Sequence, residues 1–192
     1  SKKLVDDLKR RDFTINALCF NKEYIDLVGG LEDLKKKQIK AIGDPNLRFK
    51  EDALRILRAI RFASKLGFTI ESETKKALFE NKALLKKIAI ERIQEEFNKV
   101  LLSDNASRYL EEYFEIFTIF IPELAVFKGY DQSNPHHKDD LLVHTLKVVS
   151  LVPSDLVLRL AALFHDLGKP ETRKMEDGIA RYYGHAKVGT DL

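Results

Sequence analysis

One cysteine, Cys19, occurs among 192 residues, so no internal disulfide framework can form, and a reducing compartment, the cytoplasm, is the expected location. No apolar run approaches the roughly 18 residues that a membrane-spanning helix needs. Internal repeats and low-complexity stretches are absent, which argues against a repeat array. No long block of one charge is present either: Lys and Arg number 33, Asp and Glu 30, and the net charge is +3. That balance permits a nucleic-acid partner without demanding one. A hydrophobic share of 44% is enough for a real core, in one domain or two. The chain opens with SKKLVDDLKRRD, without an initiator methionine, and ends in KVGTDL, so further segments are expected on both sides.

The densest stretch runs from Gly43 to Phe68, GDPNLRFKEDALRILRAIRFASKLGF. Asp44-Pro45 opens a helix, Glu51 and Asp52 suit a first turn, and Gly67 stops the helix after Leu66. At about 100° per residue, Ala53, Ile56, Leu57, Ile60 and Ala63 share one face, which is expected to be core. Glu51, Arg55, Arg58 and Phe62 line the other, with Asp52 one step round, so Asp52 and Arg55 are expected one turn apart. A carboxylate only accepts hydrogen bonds and Arg only donates them. That pair matches the amine donor and ring-nitrogen acceptor shared by adenine and cytosine, and it opposes the carbonyl and ring N–H of uracil and guanine. An ordinary solvated face, with Glu51 paired to Arg55, is the alternative.

Before this stretch, Arg10-Arg11-Asp12 precedes FTINALCF, where Asp12 or Thr14 is a candidate helix cap. Arginine forks suit triphosphate oxygens, and an aspartate can accept from ribose hydroxyls; a solvated basic loop is the other reading. KEYIDLV reads as a strand, Gly29-Gly30 as a turn, LEDLKKK as a short helix and KQIKAIG as a strand. After the 43–68 stretch, the hub, two helices are expected, the first capped by Ser72 and the second burying Ile90, Ile93, Phe97, Val100 and Leu101. Glu91-Arg92 reads as a structural ion pair, its helix bracing the hub. Tyr109, Tyr113, Phe114, Phe117 and Phe120 recur at helical spacing and are mostly core, with Pro122 ending the run. KGYDQSNPH, 128–136, is a linker, in which His136 and His137 are expected to be solvated.

Beyond the linker, three helical pieces carry histidines. DDLLVHTLKVVSLV holds His144. SDLVLRLAALFHDLGKP is expected to start at a Ser154 cap and to carry His165-Asp166 in its last turn, ending at Gly168 and Pro170. GHAKVG holds His185. Imidazoles and a carboxylate are ligands for a divalent metal able to activate water against a phosphate ester. His144, His165 and Asp166 are the first candidates.

The stretch DPNLRFKEDALRILRAIRF resembles the region of the EDxxR nucleotide-recognition motif in class II tRNA nucleotidyltransferases and bacterial poly(A) polymerases. RRDFTINAL, DLVGGLEDL and IERIQEEFNKVL agree with that family in order, and VHT, HDLGKP and GHAKVG resemble the HD superfamily of metal-dependent phosphohydrolases. The resemblance implies a mainly α fold in three parts: a small α/β remnant of the nucleotidyltransferase head in 1–42, neck and body helices in 43–127, and an HD-type helical domain, truncated, in 128–192. It implies CTP, ATP and the tRNA 3′ end as partners, with Arg10, Arg11, Asp12, Asp52, Arg55 and Arg58 binding nucleotide. His185 would join His144, His165 and Asp166 at a metal, although the downstream aspartate that usually completes the set is missing; a helical domain without the metal is the alternative. Gly29-Gly30 would be a joint between head and neck, or turn geometry alone.

Two-metal nucleotidyl transfer needs clustered carboxylates around Mg²⁺, and no D-x-D pair occurs in the chain. The chain therefore reads as a fragment of a CCA-adding enzyme without its catalytic acids. A phosphohydrolase centred on the HD site, a poly(A) polymerase fragment and a non-catalytic RNA-binding module are the other readings.

Overall fold

The computed structural model describes residues 2–133 and 139–192, and the expectations for His136 and His137 lie outside them. The fold is mainly α, as expected, with three two-stranded sheets among the described residues. It divides into two units, Ser1–Val100 and Leu101–Leu192.

In the first unit, α1 (Lys2–Lys9) leads into a 3-10 turn at Thr14–Asn16. Neither Asp12 nor Thr14 caps that turn, contrary to expectation: Phe13 holds the cap position without a side-chain bond. Asp12 is drawn away by two arginines, and Thr14 donates its hydroxyl to buried Asp33 at 2.6 Å. Strands β1 (Cys19–Asn21) and β2 (Glu23–Ile25) form an antiparallel hairpin. At Gly29 the chain turns with φ 81°, and α2 (Gly30–Lys35) follows. The Asp26 carboxylate accepts from the N–H groups of Val28, Gly29, Gly30 and Leu31 at 2.8–3.1 Å, filling the start of α2 from within the chain. Burial pushes Asp26 up, but those four donors outweigh it and hold its pKa below the ordinary value. β3 (Gln38–Ile39) pairs in parallel with β4 (Thr69–Ile70).

The hub is two helices rather than one. Asp44 caps α3 (Pro45–Glu51) by accepting from Asn46 and Leu47. The helix breaks at Asp52, which is extended at φ −149° and ψ 105°, and α4 (Leu54–Leu66) begins anew. The Asp52 carboxylate accepts from the Leu54 N–H at 3.1 Å, a turn that competes with continued helix. Gly67 ends α4 in the left-handed region, as expected. Ala53, Ile56, Leu57, Ile60 and Ala63 are all buried, so the core face is as read from spacing. Each large member removes about 1.5–3 kcal/mol of apolar exposure cost.

Helix α5 (Ser72–Asn81) is capped by Glu71, not Ser72, through a carboxylate bond to the Thr74 N–H at 2.9 Å. A 3-10 stretch, Lys82–Lys87, connects it to α6 (Ile90–Leu101). Ile93, Phe97, Val100 and Leu101 of α6 are buried, whereas Ile90, at the exposed first position, is not.

The second unit contains α7 (Ala106–Glu112), α8 (Phe114–Phe117), a 3-10 stretch at Pro122–Phe127, α9 (Leu141–Leu151) and α10 (Leu156–Phe164). Tyr109 and Tyr113 stack at 6.2 Å and are fully buried, with Phe114 and Phe117, confirming most of the aromatic run as core. Asp140 caps α9, and Asp155, not Ser154, caps α10. His165 and Asp166 follow α10 rather than forming its last turn. Gly168 and Pro170 do not simply end structure: they begin α11 (Lys169–Thr172). An antiparallel hairpin, β5 (Lys174–Glu176) and β6 (Ile179–Arg181), then leads to α12 (His185–Asp191).

Candidate functional site

The loop after α1 and the polar face of α4 share a cavity of about 560 Å³ lined by Asp7, Arg10, Arg11, Asp12, Asn16 and Arg58. Asp12 is the pivot. Its two oxygens accept from Arg55 Nε at 2.9 Å and Arg58 Nε at 2.6 Å, with its side chain 15% exposed. Arg55 also donates through Nη1 to the Arg48 carbonyl and to Glu51. Burial favours the neutral form of Arg55, but Glu51 and Asp12 outweigh it and raise its pKa. Hydrogen bonding to Arg55 in turn lowers Glu51. Arg10 and Arg11 both bind Asp7, whose pKa the Arg10 bond, then the Arg11 bond, lowers.

Asp52 does not stand over Arg55 on one helical face. The break turns it toward a second cavity, about 460 Å³, lined by Lys50, Glu51, Asp52, Ala53, Leu84, Lys87, Ile88 and Arg92. There Asp52 Oδ2 lies 3.3 Å from Arg92. The Arg92 partner is thus Asp52 and not the adjacent Glu91, and it is through Arg92 that α6 braces the hub. Asp52 and Arg55 remain linked by backbone, the Arg55 N–H donating to the Asp52 carbonyl at 3.1 Å.

Four residues that spacing did not single out complete this region. Arg48 donates to the Arg11 carbonyl and pairs with Glu51 at 2.7 Å, an i, i+3 signal that the sequence does contain. Arg61 pairs with buried Glu96 at 3.0 Å, and burial lowers the Arg61 pKa. Phe13 is fully buried and meets the Phe62 ring edge-on.

In the second unit, α9, the turn after α10, and α12 bring His144, His165, Asp166 and His185 around a cavity of about 470 Å³. Ligand atoms of His144, His165 and Asp166 lie within 4.8 Å of one another. Asp166 is 2% exposed. Its Oδ2 faces His165 Nε2 at 3.0 Å and His144 Nε2 at 3.4 Å, and its Oδ1 faces His185 Nε2 at 3.7 Å. His165 Nδ1 bonds the Ala162 carbonyl and His185 Nδ1 the Tyr182 carbonyl, both at 2.8 Å. A carbonyl only accepts, so these bonds put a proton on Nδ1 and turn both Nε2 atoms toward Asp166, the outer support that metal-binding histidines use; a bound metal would take the place of the proton that His165 Nε2 shares with Asp166. Burial pushes Asp166 up, yet hydrogen bonds from His165 and Lys169 outweigh it and bring its pKa to about 2. Lys169 is the residue missed here: its buried ammonium bridges Asp166 at 2.8 Å and Gln132 at 2.9 Å.

A family model described as the poly A polymerase head domain matches residues 1–40, and one described as the probable RNA and SrmB-binding site of polymerase A matches residues 67–128. The chain is 56% identical over 112 residues to the CCA-adding enzyme of Limosilactobacillus reuteri, covering 57% of this chain and 28% of that protein. It is 36% identical over 205 residues to the A-adding tRNA nucleotidyltransferase of Deinococcus radiodurans, covering 98% of this chain and 46% of that protein. The chain thus spans less than half the length of these relatives. Among solved structures, the Bacillus stearothermophilus CCA-adding enzyme in complex with CTP matches with TM-score 0.56 and 32% identity over 85% of this chain and 35% of that one. A tRNA-processing enzyme with CTP matches with TM-score 0.66 and 29% identity over 88% of this chain and 50% of that one.

Proposed function

We propose, from the chain's place in the family of CCA-adding enzymes and poly(A) polymerases, that it is the nucleotide-reading and RNA-binding part of a tRNA nucleotidyltransferase that adds C and A to tRNA 3′ ends from CTP and ATP. Residues 1–42 are the end of the head, 43–127 the neck and body, and 128–192 an HD-type domain.

The observation that carries this reading is the arginine cavity organised by Asp12. Arg58 spends only Nε on Asp12, and among the described residues its two terminal nitrogens make no hydrogen bond. Arg10, Arg11 and Arg58 line this cavity beside Asp7 and Asp12, and their guanidinium groups are donors that triphosphate oxygens can take in exchange for the carboxylates. Arg55 likewise keeps Nη2 without a hydrogen bond among the described residues, and Asp52 holds Arg92 only at 3.3 Å. To read the amine and ring nitrogen shared by adenine and cytosine, the Arg55 donor and the Asp52 acceptor, which faces a separate cavity here, have to converge on one base, with Asp52 exchanging Arg92 for it. Uracil or guanine would leave like groups opposed.

Mg²⁺, where bound, would neutralise charge developing on the transferring phosphate. The residues around this cavity do not fit it, because Asp7 and Asp12 are each engaged by two arginines. The carboxylates for that chemistry are expected outside these 192 residues.

A second reading is favoured by the histidine cluster. His144, His165 and Asp166 stand close enough to hold one divalent ion, with His185 3.7 Å from Asp166 beside them, and a water-activating metal there would make this unit a phosphohydrolase, with Lys169 holding Asp166 in place.

The test is incorporation of labelled CTP and ATP into tRNA lacking its CCA end, comparing the complete product of the gene with these 192 residues. The complete product should incorporate both, with product sequence separating CCA addition from A-only, CC-only or poly(A) addition. The 192-residue chain should incorporate neither. Incorporation by this chain near the rate of the complete product would overturn the placement of the catalytic acids.

A further inference from the structure

Phe62 carries no hydrogen-bonding group, yet its ring meets Arg58, which lines the arginine cavity, together with Arg61 and Phe13 behind it. Its ring lies under the Arg58 guanidinium, 5.8 Å from the centroid, and under Arg61, 4.1 Å from the centroid. Phe13 packs against it edge-on, centroids 5.9 Å apart at 74°. Phe13 directly follows Asp12, and Asp12 binds Arg58. The contacts therefore close a circuit: Asp12 to Arg58 by charge, Arg58 to Phe62 by cation–π attraction, Phe62 to Phe13 by aromatic contact, and Phe13 back to Asp12 along the chain.

That circuit decides where the Arg58 fork points. An Arg side chain that is 35% exposed has several rotamers, and Asp12 fixes only Nε. The ring of Phe62 supplies the second constraint, since a guanidinium over an aromatic face loses less freedom on binding an anion. Arg61, whose guanidinium also lies over this ring, is held independently by Glu96.

We infer that Phe62 is a positioning residue for the triphosphate, acting by orienting the terminal nitrogens of Arg58. This deepens the nucleotide-binding reading above and rests on it. Because phosphate contacts do not depend on the base, the effect of losing the ring must be equal for ATP and CTP.

The test uses the complete gene product and measures KM and kcat for both nucleotides in Phe62→Leu, Phe62→Met, Phe62→Tyr and Arg58→Ala. Losing the ring face should raise KM for ATP and CTP alike by about threefold to tenfold in the Leu and Met variants, with kcat changed less. Phe62→Tyr keeps the face and should restore the parental KM. Arg58→Ala should raise KM at least as much. If Arg58→Ala leaves KM unchanged, the arginine cavity is not the triphosphate site and the functional reading fails. If Arg58→Ala raises KM but Leu and Met do not, or if they lower melting temperature and kcat alone, Phe62 is only packing and this inference fails. The Met variant, which fills the volume without a ring face, serves if Leu does not fold.

Discussion

Replacing Gly30 with alanine tests the packing that holds the Arg10-Arg11-Asp12 loop. A Cβ at Gly30 would lie 2.3 Å from the Thr14 carbonyl oxygen, 2.9 Å from its carbon and 3.1 Å from Leu18 Cδ2. Relieving that contact requires the two segments to part by about 1 Å. Neither is free to move. The Thr14 N–H donates to the Lys40 carbonyl at 3.0 Å and its hydroxyl to Asp33 at 2.6 Å, while the Gly30 N–H is held by Asp26 at 3.0 Å. Overpacking of this kind costs about 1–3 kcal/mol. Alanine's helix preference, about 1 kcal/mol in a helix interior, offsets little at a first position. A net loss of about 2 kcal/mol follows, a fall of roughly 4–8 °C in melting temperature. Gly29 next to it makes a sharper contrast, because it has φ 81° and open space around it. Gly29→Ala meets only backbone strain of about 1–2 kcal/mol, and Gly29→Asn should recover much of it. Urea unfolding followed by circular dichroism, with hydrogen exchange of the 12–42 amides, reads both effects. Gly30→Ala as stable as the parent, or less harmful than Gly29→Ala, would refute the close approach of α2 to the loop.

Two further outcomes follow from single contacts. Glu71 is pushed up by burial, but the Thr74 N–H and hydroxyl outweigh this and hold its pKa below the ordinary glutamate value near 4.5. Its contribution is complete above the unfolded-chain value and is lost as pH falls through the lower folded value, so melting curves for Glu71→Gln should converge on the parent only at acid pH; equal gaps at all pH values would count against the cap. In the histidine cluster, a Cβ at Gly168 would lie 2.2 Å from the His185 carbonyl oxygen and 2.6 Å from the Gly189 nitrogen. Gly168→Ala should push α12 away and weaken divalent-metal binding about tenfold or more in titration calorimetry, and an unchanged affinity and melting temperature would refute it.

Much of the helical skeleton was legible in local signals. Asp44-Pro45 and Gly67 bound the hub as read, and the apolar spacing identified its buried face. The interruption at Asp52 was not legible, since KEDALR has good helix formers on both sides. A side chain that bonds the Leu54 N–H and meets Arg92, 40 residues away, tips that position into extended backbone. Two caps were misplaced by one residue for a related reason. Ser72 and Ser154 are both competent caps, but each adjoins a carboxylate, Glu71 and Asp155, that reaches the third N–H onward. The arginine and aspartate candidates were found by motif, while Phe62, Glu96 and Lys169 acquire their roles only from what they touch.

The sequence by itself determined the mainly helical class, the apolar faces and the residue types at the two candidate sites, because those properties act within one or two turns of chain. Tertiary structure alone decided the pairings: Asp12 with Arg55 and Arg58, 43 and 46 residues away, Asp52 with Arg92 instead of Arg55, and three histidines around the one buried carboxylate of Asp166. Charges choose partners by proximity and desolvation in three dimensions. A carboxylate one turn from an arginine in sequence is released from it when the backbone between them leaves the helix, and no local periodicity encodes that choice.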